Sequence, residues 1–96
     1  MIELAWTPEA IQDRHDIYDY IEIENPLAAL TLDGLFSEQA AILMNHPSSG
    51  RTDRTPGTLE LIVHPNYMLV YDIVCIQVRV LNVVHTALQW PPATQR

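Results

Sequence analysis

The sequence predicts an α+β domain: an N-terminal strand, then an antiparallel helical hairpin packed on one face of an antiparallel β-sheet, in the order β-α-α-β-β-β. Three observations predict it. Two helix starts of the same form, Thr7-Pro8 and Asn25-Pro26, each precede an apolar stripe at helical spacing. A polar, proline-containing loop then leads into β-branched and aromatic runs separated by turn residues. The connection between the helices is so short that they must be antiparallel neighbours.

Ile2 to Trp6 (IELAW) is short, apolar and closed by a turn signal, which reads as a strand. Thr7 then caps the free N–H groups of the first helix. Pro8 suits its first turn, where the missing N–H has no partner to lose, and Glu9 favours the positive end of the helix dipole. Ala10, Ile11, Ile17, Tyr18 and Ile21 form its apolar face, and Gln12, Asp13, Asp16, Asp19 and Glu22 the opposite one. Arg14 falls inside the apolar stripe and is expected to snorkel.

The second helix runs from Pro26 to about Asn45, with Ala29, Leu32, Phe36, Ala40 and Leu43 on one stripe. Leu27 and Leu30 lie beyond that stripe, so the helix is apolar on more than one side. Gly34 in mid-helix costs roughly 1 kcal/mol against alanine, and close packing on the first helix would account for it. His46-Pro47 ends the helix, and a polar loop continues to Gly57. Three antiparallel strands follow: Thr58–Val63, Tyr67–Ile73 after the turn at His64-Pro65-Asn66, and Ile76–Val83 after a reversal near Val74-Cys75. The sheet face away from the helices is expected to be a shallow open surface, bordered by the loop at 46–57 and the tail at 84–91.

The 96 residues are read as one domain, 1–96. No apolar run approaches the roughly 20 residues of a membrane span, and no signal peptide is recognised, so a cytoplasmic protein without a membrane partner is expected. The lone Cys75, set among Val74, Ile76 and Val78, reads as a buried thiol. Twelve acidic residues face five arginines and no lysine. That balance argues against direct sequence-specific DNA binding by this chain alone, and suits a basic partner.

Candidate chemistry is sparse. Arg51 and Arg54 in the loop and Arg79 on the last strand either converge to hold a phosphate or carboxylate, or are solvated charges. His85 at a strand end is either an acid or base near neutral pH or a structural histidine. His46 and His64 each precede a proline and read as turn residues. Tyr67 and Tyr71 share one face of a strand, where they either stack a base or pack the core. Trp90 reads as an anchor for the tail. No metal site and no cofactor is expected.

Taken together, five segments resemble the RelE/ParE superfamily of bacterial type II toxins. They are WTPEAIQDRHDIYDYI at 6–21, the Asn25-Pro26 helix start, His46-Pro47 with Gly50-Arg51, PGTLELIVHPNYMLVY at 56–71, and VVHTALQWP at 83–91. The resemblance runs in order over roughly residues 3 to 91. It implies a small toxin neutralised by a cognate antitoxin protein, whose C-terminal segment wraps the toxin. Two kinds of target are implied: the ribosome, where RelE-like members cleave mRNA, and DNA gyrase, which ParE-like members poison. In this wording an arginine is expected where Leu59 and Leu88 stand, which points either to a variant with lost toxicity or to a natural member with a different target. The acidic balance favours the gyrase-directed reading. An mRNA interferase using Arg51, Arg54 and Arg79 on the phosphate and His85 as proton donor is the alternative, and a non-toxic antitoxin-binding module the third. Leu59, Leu88, Tyr67, Tyr71, Gln89 and Trp90 are the candidate target contacts. Asp13, Asp16, Leu27 and Leu30 are the candidate antitoxin contacts, with strand addition at an open sheet edge beside them.

Overall fold

The computed structural model describes residues 2–52 and 55–87. Strand β1 (Glu3–Trp6) leads into helices α1 (Pro8–Glu22) and α2 (Pro26–Ile42), followed by β2 (Arg51–Thr52), β3 (Leu59–His64), β4 (Tyr67–Val74) and β5 (Gln77–His85). Both helices begin at their capping residues. Thr7 Oγ1 accepts from Ala10 N at 3.1 Å and donates to Leu81 O at 2.9 Å, so one hydroxyl caps α1 and docks it on β5. Asn25 Oδ1 accepts from Ala28 N at 3.0 Å and caps α2. Beyond Ile42 the chain winds on to Asn45 through the tighter three-residue bonds from Leu43, Met44 and Asn45 N–H groups.

The sheet order is β1-β5-β4-β3-β2. The expected antiparallel meander is present as β3, β4 and β5. Two features go beyond it. β1 pairs with β5 in parallel, Glu3 opposite Gln77 through Trp6 opposite Val80, so the full sheet is mixed. The segment read as loop contributes β2, a two-residue edge strand set against Thr52–Leu59 and Arg51–Glu60. So short a strand carries no alternation for a sequence pattern to detect.

The helical hairpin covers one sheet face. Leu69, Val80 and Val83 meet Ala10, Leu32, Phe36 and Ala40 in one cluster, and Tyr71 and Val78 meet Leu43 in a second, with Leu4 packed against both. Alternation puts Leu59, Leu61, Leu69 and Tyr71 on this helix side and Glu60, Val70 and Asp72 on the other. The other face is not bare at its centre: Val70 is fully buried and Met68 nearly so, which corrects the expected open surface.

Three further expectations are corrected. Cys75 is exposed, because it occupies the β4–β5 turn with φ 54°. Gly34 is exposed, and a Cβ there would meet nothing within 4 Å, so close helix packing does not account for it. Ile11, placed on the apolar face of α1, is 51% exposed. Arg14 does snorkel. Its guanidinium lies 4.5 Å from the centroid of the Trp6 ring and pairs with Asp33 at 2.9 Å, which ties β1, α1 and α2 together.

Candidate functional site

Among the described residues, the candidate ribonuclease residues Arg51, Arg79 and His85 are not brought together. On the face away from the helices Arg51 pairs with Glu60, its cross-strand partner. Arg79 pairs with Asp72, also its cross-strand partner, with Nε to Oδ1 at 2.9 Å. The Asp72 carboxylate raises the guanidinium's pKa and keeps it charged. Arg51 on β2 and Arg79 on β5 are three strand steps apart, about 14 Å at roughly 4.8 Å per step. His85 lies six residues beyond Arg79, roughly 20 Å along the strand. Its ring sits on the helix side, edge-on to Tyr67 at 5.2 Å between centroids. Its Nδ1 accepts from Ala87 N at 3.1 Å, so in the neutral ring the proton is on Nε2. Arg54, Leu88, Gln89 and Trp90 lie outside the described residues.

The candidate target contacts on the strands face the helices. Tyr71 is fully buried, and its hydroxyl donates to Pro47 O at 2.7 Å and accepts from Gly50 N at 3.0 Å. Burial pushes the phenol pKa up, against the smaller lowering effect of the Gly50 N–H. Gly50 is required here, since a Cβ would stand 2.6 Å from Tyr71 Oη and 2.7 Å from Glu60 O. Leu59 is half-buried and packs on the same cluster as Tyr71, Leu43 and Val78. Leu59, expected among the target contacts, thus has a packing role on the helix side of the sheet. Tyr67 packs edge-on to Phe36 at 5.9 Å. The two tyrosines do share a face, and it is the core face.

The acidic side of α1 is divided. Asp13 Oδ2 accepts from Val83 N and from Asn82 Nδ2, both at 2.9 Å, so this carboxylate fastens α1 to β5 where the β4–β5 register shifts. Asp16 is exposed and accepts from Gln12 Nε2 at 2.8 Å. Asp13, Asp16, Ile17 and Tyr20 form one stripe at positions i, i+3, i+4 and i+7, and with Tyr67 and His85 they line a groove of about 330 Å³. Sequence reasoning left Tyr20 out of this stripe, although the spacing alone places it there.

The apolar side of the hairpin tip is open. Tyr20, Ile23, Leu27 and Leu30 are 75%, 82%, 71% and 59% exposed. Leu27 also borders a second groove, between α2 and His64, of about 390 Å³. These four exposed apolar side chains are the candidate interaction surface of the hairpin tip. Among the described residues no cluster of metal-ligating side chains and no helix long and apolar enough to cross a membrane occurs.

The comparisons with known proteins agree with this architecture. Residues 4–90 match the family model of the ParE toxin of the type II toxin-antitoxin system parDE. The chain is 33% identical over 89 residues to Y4kP of Sinorhizobium fredii, covering 92% of each chain. It is 32% identical over 87 residues to Toxin RelE2 of Caulobacter vibrioides, covering 91% of this chain and 98% of that one. In structure it resembles a chain of the chromosomal ParDE system of P. aeruginosa, with a TM-score of 0.80, 24% identity, and coverage of 88% of this chain and 96% of that one. A parallel β1 closing a meander beneath a helical hairpin is thus the fold of a known toxin group, and this chain belongs to the ParE toxin family of the RelE/ParE superfamily.

Proposed function

We propose that this chain is a ParE-like inhibitor of DNA gyrase, acting in the cytoplasm without catalysis and held inactive by a cognate antitoxin. One observation carries the reading: Arg51 and Arg79 are each neutralised by a cross-strand carboxylate, and His85 stands on the other side of the sheet. Stabilising a phosphorane-like transition state needs free cationic donors and a proton donor aimed at one point. A chain with a net charge of −7 also repels RNA. A protein target requires only a complementary surface and no converging catalytic groups.

The test is a pair of assays on the purified chain. Inhibition of plasmid supercoiling by gyrase, with intact mRNA on translating ribosomes, is the expected result. Cleavage of ribosome-bound mRNA with normal supercoiling would replace this reading with the mRNA interferase. Activity in neither assay would leave the antitoxin-binding module. The packing of Leu59 supports a natural member over one crippled at that position. Leu27, Leu30 and Asp16, all exposed, are the antitoxin contacts under this reading.

A further inference from the structure

We infer that the groove between α1 and β5 receives a single arginine side chain presented by an apolar segment of a partner protein. Its volume, about 330 Å³, is at the low end for a ligand site, and fits one long side chain better than a cofactor. Its floor is apolar and aromatic: Ile17 and Tyr67, with the His85 imidazole edge-on to the Tyr67 ring and Tyr20 standing 75% exposed at the mouth. Burial, and after it the neighbouring Tyr20, push the Tyr67 pKa up, so the groove keeps a neutral phenol. Its wall carries two carboxylates, Asp13 and Asp16. Asp13 holds its Oδ2 on the β5 backbone, which fixes the direction of the whole group.

An arginine suits this combination better than a lysine. The guanidinium stacks flat on an aromatic ring and still presents paired N–H groups to a carboxylate, while an ammonium does neither. The chain already uses the same arrangement on the other side of α1. There Arg14 lies over Trp6 at 4.5 Å and pairs with Asp33 at 2.9 Å. In the α1–β5 groove the ring and the carboxylates are present, and the cation comes from outside. The charge of the chain as a whole favours such a partner. The toxin reading enters only in naming the antitoxin as the protein that supplies the segment; the chemistry of the groove stands apart from it.

The probe is the capped tripeptide leucyl-arginyl-leucine amide, titrated into the full chain by NMR. Its twin carries citrulline, which keeps the shape and removes the charge. The arginine peptide is expected to bind about tenfold tighter than its twin, as a charge-assisted pair predicts, with shifts at Tyr20, Val83 and His85. Asp16→Asn should cut that preference severalfold, and Asp19→Asn, outside the groove, should preserve it. Equal affinity of the twins overturns the inference. So does an equal loss in both variants, which would show general attraction to an acidic protein. Gyrase inhibition is read separately, so failure of the groove and failure of the toxin reading are distinguishable.

Discussion

Strand β4 carries two tyrosines on the same face, Tyr67 as its first residue and Tyr71 four residues on toward the other end, and they have opposite fates. At the Tyr71 end the loop after α2 folds over the sheet. The phenol is fully buried, both of its hydrogen-bonding functions are used, and Leu43, Leu59 and Val78 close around it. At the Tyr67 end no such loop arrives from α2. The ring is half-buried between Phe36 and His85, and beyond it stand Tyr20, Ile23 and Leu27 with most of their surface in water. One end packs its apolar residues into the core, and the other leaves them in water.

That contrast can be broken most sharply at Gly50. Gly50→Ala drives a methyl into Tyr71 and the backbone oxygen of Glu60, and should cost about 3 kcal/mol, measured by urea unfolding. Tyr71→Phe is the gentler version. It leaves Pro47 O and Gly50 N without their partner, for a loss of about 2 kcal/mol. The same residue predicts a pH dependence. Its folded pKa is raised above the ordinary 10.0, so the unfolded chain loses the proton first. Stability is therefore unaffected below about pH 10 and falls as pH rises above it through the raised value. Tyr71→Phe should flatten that fall, and an unchanged alkaline slope would contradict the assignment.

At the other end the effects on stability should be small and of either sign. Gly34→Ala meets open space on an exposed helix face, and should raise stability by about 0.5–1 kcal/mol through helix propensity. Leu27→Ser should change stability by no more than about 0.5 kcal/mol, yet weaken antitoxin binding in a pull-down from co-expressing cells. If Leu27→Ser unfolds the chain, the hairpin tip belongs to the core and the contrast between the two ends disappears.

Much of the fold was legible in the sequence because its signals are local. Thr7-Pro8 and Asn25-Pro26 mark the helices through backbone groups within one turn, and both caps are formed as expected. The three long strands end within two residues of where their β-branched runs do. The candidate site was less legible. Strand alternation sorts Leu59, Leu61 and Val63 from Glu60, Ile62 and His64, but both sets contain apolar residues. The arginines carried no mark of their carboxylate partners either, since Glu60 and Asp72 reach them only across strands.

The sequence by itself determined the helical hairpin, the antiparallel meander and an acidic surface, because capping, periodicity and net charge are properties of neighbouring residues or of simple sums. Only the tertiary structure decided which sheet face the hairpin covers, and with it that Leu59 and Tyr71 are core, that Arg51 and Arg79 are neutralised apart, and that Asp13 is a fastener. Period two assigns each side chain to one of two faces; the packing of distant helices decides which of those faces is inside.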